Sequence, residues 1–484
     1  MKTDSEQFKK IISHAKEYGF VYPSSDIYDG LSAVYDYGPY GSLLKQNIRE
    51  YWWKSMVQMH ENIVGLDAAI FMHPTTWKAS GHTDNFNDPM IDNKDSKKRY
   101  RVDTLLEEKA EQLIKKGKSE KAEKLLKDLN ECLTNEDMSA LYELVIESEV
   151  VCPVSGSRNW TSVRQFNLMF ATQMGSVADD ADMVYLRPET AQGIFVNYLN
   201  VQKTARMKIP FGIAQTGKAF RNEIVARQFI FRTKEFEQME MQFFVRPGEE
   251  MKWFDYWKEK RMKWHKSLGF PEKLYRFHKH EKLAHYANAA VDIEFEFPFG
   301  FREIEGIHSR TDFDLSKHQE FSGKKLQYFD PEVNKNYIPY VVETSIGLDR
   351  MFLSIFSHAL THEKLENDTE RVVLKIPAAL APVKVALLPL TKKDGLPEKA
   401  REIFSKLRFD MICRYDEKDA IGKRYRRQDA IGTPYCITID HQSLEDNSVT
   451  IRERDSMQQE RIPIDKVQQI IIEKTSLNNL LSSI

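Results

Sequence analysis

Three short clusters in this sequence carry side chains suited to gripping a polyphosphate. The first is Phe220-Arg221-Asn222-Glu223, followed by a loop over 224–232 and a return strand from Glu235 to Phe244. A guanidinium such as Arg221 meets phosphate oxygens two at a time, which an ammonium does less well. Glu223, two residues on, shares a strand face with Arg221 and can accept a hydrogen bond from an adenine amino group. Phe236 offers a flat ring for stacking a base. The second cluster is Gly347-Leu348-Asp349-Arg350, between a strand and a helix. Its glycine lets backbone approach a ligand closely, and Arg350 adds a second cation in the first helical turn. The third is Gly38-Pro39 ahead of a long helix, with Pro74 and Gly81-His82 beyond it. Taken singly, the first reads equally well as a surface ion pair, the second better as a helix start with a surface arginine, and the third only as a turn and a helix.

The elements that must position these side chains follow from periodicity and punctuation. With 484 residues the chain has room for two to four domains, and its 41% hydrophobic and 29% charged residues suit a globular protein. No run nears the roughly 20 apolar residues of a membrane helix, and the polar start Met1 to Glu6 lacks the pattern of a leader, so a cytoplasmic protein without a membrane partner is expected. Cys132, Cys152, Cys413 and Cys436 are scattered, without the spacing of a disulfide framework or a zinc site. A net charge of −2 excludes wholesale coating of nucleic acid but leaves room for a local basic face.

Helices are expected over Phe8–Tyr18 and Leu43–Met59, with an extended segment from Asn62 to Phe71 ended by Pro74. Lys, Glu and Leu dominate from Leu105 to Leu129, which predicts a charged helical hairpin inserted in the main domain. From about 164 to 355, antiparallel strands around Phe211–Gln215 and Met239–Phe244 flank the loop. Val291–Phe297 alternates with period two, and Tyr340–Ser345 leads into an apolar helix ending at Phe356. After a linker near Lys375–Pro382, strands and helices alternate from Val383 to Lys474, predicting a compact α/β module with a mostly parallel sheet. Its helix Lys418–Ile431 carries Lys423, Arg424, Arg426 and Arg427 beside Tyr425, a basic and aromatic face suited to RNA, with a plain solvated face as the alternative.

In order and spacing the three clusters resemble motifs 1, 2 and 3 of class II aminoacyl-tRNA synthetases. Motif 1 is the long helix plus the strand ending at Pro74, motif 2 is Phe220 to Phe244, and motif 3 ends in Arg350. The likeness is closer to dimeric, single-polypeptide glycyl-tRNA synthetases. It is carried by Tyr35-Asp36-Tyr37-Gly38-Pro39, Ser80-Gly81-His82, Phe166 to Phe170, Leu186-Arg187-Pro188-Glu189-Thr190-Ala191-Gln192-Gly193, Glu235-Phe236-Glu237-Gln238, Gly306 to Leu315 and Glu343-Thr344-Ser345-Ile346-Gly347. The C-terminal module resembles the anticodon-binding domain shared by the glycyl, histidyl, prolyl and threonyl enzymes. The resemblance implies a multi-domain α+β chain. A class II antiparallel sheet with flanking helices occupies 1–93 and 161–380, a charged helical insertion 94–160, and an α/β anticodon-binding domain 382–484. It further implies ATP- and Mg²⁺-dependent activation of glycine, transfer to the 3' end of tRNA(Gly), and a homodimer built through the motif 1 helix. The alternatives are a prolyl, threonyl or histidyl enzyme, or a nucleic-acid-binding relative without catalysis.

Site residues are implied by position in that family. Arg221 and Arg350 are the catalytic pair, on the α- and γ-phosphates. Asn222, Glu223, Phe231, Arg232, Thr233, Lys234, Glu235, Phe236, Glu303, Ile304, Gly347, Leu348 and Asp349 complete the ATP site, with Glu303 also holding Mg²⁺. The glycine pocket comprises Arg101, Glu189, Phe236, Glu237, Gln238, Met239, Glu240, Arg310, Glu343, Thr344, Ser345, Ile346 and Gly347, with the carboxylates on the ammonium and Arg310 opposite them on the carboxylate end. Two departures stand out. Relatives that bind zinc carry paired cysteines before Phe166, but here Ser155 follows Cys152 in the second position, so no zinc is expected. His308-Ser309 precede Arg310 where many relatives have Ala-Asn.

Overall fold

The computed structural model describes residues 2–175, 182–223, 228–280, 283, 287–365 and 369–484. Its largest sheet has strands β1 (Ile63–Gly65), β2 (Phe211–Phe220), β3 (Glu235–Val245), β4 (Tyr275–Lys279), β5 (Ala289–Phe297), β6 (Gly300–Thr311) and β7 (Tyr340–Gly347). They lie in the order β4-β5-β6-β7-β3-β2-β1, antiparallel except where β1 runs parallel to β2. The helices that matter here are α1 (Lys2–Glu17), α2 (Pro39–Trp53), α3 (Val102–Lys115), α4 (Ser119–Thr134), α5 (Met138–Glu147), α6 (Glu250–Lys266), α7 (Leu348–Ala359) and α8 (Ile421–Ile431).

The two-residue period of a strand gives this sheet two different faces. On β3, Met239, Met241 and Phe243 enter a core that also takes Leu44, Ile48 and Trp52 from α2 and Met351, Phe352, Ile355 and Phe356 from α7. The intervening Phe236, Gln238, Glu240 and Gln242 face the other way. Register carries the alternation across the sheet, because Gln242 lies opposite Glu343 of β7, which lies opposite His308 of β6. Helices cover the apolar face, and the polar face becomes the floor of a cleft. Two irregularities in β6 re-aim its side chains, as bulges do. The register shifts where Ile304 enters the core, and again at Arg310, between Ser309 and Thr311.

Local chemistry explains where the elements begin. Pro39 takes the first position of α2, where its missing N–H costs no bond. At Gly41 a Cβ would sit 1.9 Å from the Phe20 carbonyl oxygen, so only glycine lets α2 lie so close to the chain before it. Pro74 does not end a strand as expected. The strand stops at Gly65, and Pro74 opens a short helix, Pro74–Ala79, whose Thr75 N–H donates to His73 Nδ1. The expected hairpin near 105–129 is present as α3 and α4, and a third helix, α5, joins them around a shared core of Leu105, Leu106, Leu125, Leu129, Leu141 and Val145. The extra helix starts at Asp137, whose carboxylate caps the Ser139 and Ala140 N–H groups. A three-stranded sheet of Asn87–Asn93, Lys98–Arg101 and Arg164–Asn167 supports these helices, so the insertion's ordered structure reaches beyond 94–160 on both sides.

The C-terminal sheet has strands β8 (Val385–Pro389), β9 (Cys413–Tyr415), β10 (Tyr435–Ile439), β11 (Ser448–Glu453) and β12 (Gln459–Pro463), ordered β9-β8-β10-β11-β12. It is mixed rather than mostly parallel: β8 pairs in parallel with β9 and β10, while β10–β11 and β11–β12 are antiparallel. The polar β12 gives no hydrophobic alternation by which a sequence reader would find it. The expected linker near 375–382 is no exposed tether. Ile376, Ala379, Leu380 and Ala381 are buried, and Asn47 of α2 donates to the Leu380 and Ala381 carbonyls, both at 3.0 Å. Among the described residues no helix is long and apolar enough to cross a membrane.

Candidate active site

Arg221 and Arg350 stand on two sides of one cleft over the polar face. Arg221 follows the end of β2. Its Nε donates to the Pro188 carbonyl at 3.0 Å, and its guanidinium lies 5.4 Å from the Phe86 ring centre and 5.3 Å from that of Phe236. Arg350, in the first turn of α7, stacks over Phe231 at 4.5 Å and pairs with the Glu303 carboxylate at 3.0 Å. Phe231, Arg232, Thr233, Glu223 and Gly347 complete the walls. Two fixed guanidiniums over aromatic rings suit a polyphosphate with a planar base.

The cleft continues inward through Gln238, which donates to Ser345 Oγ at 3.1 Å and accepts from the Thr190 N–H at 3.2 Å. Behind them lies a buried cluster of three glutamates. Glu343 takes hydrogen bonds from Gln242 at 2.7 Å and Arg310 at 2.9 Å on one oxygen, and lies 2.8 Å from His308 Nδ1 through the other. Glu240 accepts from Thr190 Oγ1 and from Gln242 at 2.6 Å. Glu189 accepts from Gln192 at 3.0 Å and lies 3.5 Å from His82 Nε2. Burial opposes charge on all three, but the neighbours decide the outcome. His82 and Arg310 outweigh burial at Glu189 and hold it below the usual carboxylate range. Arg310 and His308 do the same at Glu343, held at about 2. At Glu240, burial is reinforced by Glu343 and Glu189, which push its carboxyl well above the usual range. Their surroundings thus favour charge on Glu189 and Glu343 and oppose it on Glu240.

Comparison with known proteins places this geometry. Residues 170–359 match a family model described as the tRNA synthetase class II core domain (G, H, P, S and T), residues 88–168 match glycyl-tRNA synthetase insertion domain 1, and residues 384–474 match an anticodon binding domain. A glycine–tRNA ligase of Chlorobaculum tepidum is 53% identical, covering 96% of this chain and 99% of the relative. Those of Staphylococcus haemolyticus and Geobacillus thermodenitrificans are 51% and 50% identical, covering 97% and 96% of this chain and 99% and 97% of the relatives. The chain belongs to the glycyl-tRNA synthetase family.

Within this synthetase fold, the residues expected at the site fall into three groups. Arg221, Glu223, Phe231, Arg232, Thr233, Phe236, Gln238, Glu303, Ser345, Gly347, Asp349 and Arg350 come together around the cleft. Glu189, Glu240, Arg310 and Glu343 form the cluster beyond it. The rest go elsewhere. Met239, Ile304, Ile346 and Leu348 put their side chains into the core, and Thr344 shares their face of the sheet. Glu237 also turns to that face, toward Arg49 of α2 at 2.7 Å. Asn222 and Lys234 line a neighbouring depression, and Glu235 pairs with Lys218. Arg101 belongs to the insertion, paired with Asp88 at 3.2 Å and with Asp103.

Three geometric expectations change. Glu223 does not share a strand face with Arg221, because β2 stops at Phe220; the Glu223 N–H folds back to the Arg221 carbonyl at 2.6 Å. Of the loop expected over 224–232, residues 224–227 lie outside the described residues. Arg310 does not face the carboxylates across a gap. Its guanidinium is committed to Asp314 through two bonds, of 2.8 and 3.0 Å, and to Glu343 itself. Asp349 sits at the cleft floor, but its carboxylate is taken by Tyr37, by Lys45 at 2.9 Å and by the Glu237 N–H at 2.8 Å. Sequence reading missed His82, Thr190, Gln192, Gln242 and Asp314 as partners, while His308, singled out beside Arg310, meets Glu343. Two had a signal: Gln242 is two residues from Glu240 on a strand, and Asp314 follows Arg310 by four at a helix start.

Proposed function

We propose that this chain activates glycine with ATP and transfers the glycyl group to the 3' end of tRNA(Gly). One observation carries the reading: the two-arginine cleft runs through Gln238 and Ser345 directly into the buried cluster of Glu189, Glu240 and Glu343. A polyphosphate suits the first part and a small ammonium compound the second. In the first step a glycine carboxylate oxygen attacks the α-phosphorus, the bond to the bridging oxygen breaks, and pyrophosphate leaves. In the second, the terminal ribose hydroxyl attacks the glycyl carbonyl, loses its proton, and AMP leaves. Both steps need positioning and charge neutralisation more than a strong base. Arg221 holds the α-phosphate and the attacking carboxylate, Arg350 the γ-phosphate, and Phe236 and Glu223 the adenine. Arg310 acts through Glu343, keeping it ionised, rather than on glycine itself.

Mg²⁺ fits this cleft. The Glu303 side chain is 46% exposed at the rim beside Arg350 and offers the oxygen donor a hard cation prefers. Bound there with the phosphates, the ion would spread the charge of the polyphosphate oxygens. Glycine is chosen by crowding. Each carboxylate is already hydrogen-bonded to fixed neighbours, so a methyl group has little room; an adaptable pocket would reject it by only about 1–3 kcal/mol, a rigid one by more. For tRNA, the depression lined by Lys94, Lys97, Phe166 and Lys234 adjoins the cleft and suits the phosphates and bases of a single-stranded end, while Arg99 at its edge is paired with Asp92 at 2.7 Å. In the C-terminal domain Lys423 stays available among the described residues, while Arg426 lies 3.9 Å from Asp429. Arg424 and Arg427 are not available, being bound to Pro389 and Leu390 carbonyls and to Asp416 and Asp419.

A homodimer, a cytoplasmic location and the lack of zinc belong to the same proposal. The apolar stripe of α2 is spent inside its own subunit, so a dimer through this helix would use its polar side. Around Cys152 the donors are one thiol with Ser96, Tyr100 and Ser155, joined by hydrogen bonds of 3.3 to 3.5 Å. Sedimentation and elemental analysis of the pure protein test these points; a monomer, or one zinc per chain, overturns them. The central test is ATP–pyrophosphate exchange and tRNA charging with glycine, alanine, serine and proline. Glycine alone should support both. Exchange driven by another amino acid and not by glycine would overturn the reading.

A further inference from the structure

His308 stands on the cleft face of β6, opposite Glu343 of β7. Its ring lies across Gly306, where a Cβ would come within 2.9 Å of it, so the glycine makes room for the imidazole. Behind the ring are Asp292 of β5 and His280, which follows β4. His280 Nε2 lies 2.8 Å from Asp292, and the two imidazole rings are 6.5 Å apart. Among the described residues, the charged and titratable groups facing His308 are therefore Glu343, Arg310, Asp292, Glu303 and His280. The side chain keeps 23% exposure, so protons can exchange with solvent.

The partners of Glu343 divide unevenly. Its Oε2 is taken by Arg310 and Gln242, while Oε1 has, among the described residues, His308 alone within hydrogen-bond distance. Oε1 is thus the oxygen with capacity to spare for an ammonium. A neutral imidazole donates Nδ1–H and leaves the carboxylate its charge; an imidazolium neutralises that charge. We infer that His308 is a positioning residue through which glycine binding is coupled to proton release, the His308 proton and the glycine ammonium competing for Glu343. The inference rests on the proposed role of Glu189 and Glu343 in holding the ammonium. Burial lowers the imidazole's pKa, but the Glu343 bond and charge, helped by Asp292 and opposed by Arg310, raise it above the usual value. The sign follows from linkage. A second cation in the cluster lowers the affinity of His308 for its proton. The KM for glycine should then be flat at high pH and rise, by up to about tenfold per unit, as pH falls through the His308 titration.

The test measures KM for glycine and for ATP by pyrophosphate exchange from about pH 6 to 9 in the wild type and in His308→Asn, His82→Asn and Glu343→Gln. Asparagine keeps a donor at the Nδ1 position and does not titrate. The wild type should show a glycine KM that climbs toward low pH, with no matching climb for ATP. In His308→Asn the low-to-high pH ratio of the glycine KM should shrink to within about twofold. Calorimetry of glycine binding in two buffers of different ionisation enthalpy should show proton release in the wild type and its loss in His308→Asn. A wild-type slope in His308→Asn, a uniform fall in kcat at every pH with the slope intact, or a slope abolished only by His82→Asn would each overturn the inference. Glu343→Gln separates it from the reading beneath. An unchanged glycine KM there sinks the site assignment. A raised one, with an unaltered His308→Asn profile, sinks the coupling alone.

Discussion

Glu240 and Glu343 lie in one cluster and are the same residue type, yet their surroundings push one carboxyl above the usual range and hold the other below it. The difference lies in who stands beside each: Arg310 and His308 at Glu343, two other carboxylates at Glu240. The chemistry of each group can be tested singly. Glu189→Ala should abolish glycine-dependent pyrophosphate exchange while the circular dichroism spectrum is retained; near-normal exchange would sink the proposed pocket. Arg350→Lys should lower kcat/KM for ATP about 10- to 100-fold, the loss of one or two charge-assisted bonds. Glu343 also predicts an acid response. Its folded-state pKa is depressed, so the stability it contributes is present above the unfolded carboxylate range and lost as pH falls toward about 2. Glu343→Gln should flatten acid unfolding in that window, read by fluorescence.

At the scale of elements, the central device ties α2, β3 and α7 together beneath the cleft. Asp349 of α7 receives Tyr37, Lys45 and the Glu237 N–H, and Glu237 in turn receives Lys45 at 3.3 Å and Arg49. Asp349 is nearly buried, so Asp349→Ala leaves Lys45 without half its compensation and should cost about 3–5 kcal/mol in denaturant unfolding. A change confined to ATP binding, with no loss of stability, would return Asp349 to the nucleotide site. Most elements were legible because long apolar periodicities name helices and strands directly: α2, β3, β7 and α7 stand where expected, within a few residues. The short helix after Pro74 and the polar β12 were not, since neither spans enough residues to show a period. The alternation of β3 and β7 was readable too. Applied strictly, it would have removed Glu237 and Met239, and Thr344 and Ile346, from the list of glycine contacts.

At the scale of the whole molecule, the C-terminal domain is fastened rather than tethered. Arg371, which precedes the 375–382 segment, is fully buried. It lies 3.4 Å from Asp429 of α8, which also takes two bonds from Arg452, at 2.8 and 3.0 Å. His14 of α1 reaches the Ala430 carbonyl of the same helix at 2.8 Å. Asp429→Ala would leave the buried Arg452 without its carboxylate, while Arg371 keeps Glu363 at 3.4 Å and the Arg454 carbonyl; it should destabilise the chain by about 3–5 kcal/mol, seen as an earlier unfolding transition. Glycine-dependent exchange, measured where the protein is folded, should suffer less than tRNA charging.

The sequence by itself determined the family, the three-part plan and the two arginines of the cleft, because these depend on local residue order and on periods that survive without neighbours. Only the tertiary structure decided which charges are spent on the fold and which are left for substrate. Arg310, Asp349, Glu237 and Arg424 read in the sequence as groups for ligands; the structure commits them to partners held by other elements or by another strand or helix turn. A charge is defined electrostatically by what surrounds it, and three dimensions bring those surroundings together. His308 illustrates the point most directly: in the sequence it is a departure from relatives, and only across the sheet does it meet Glu343.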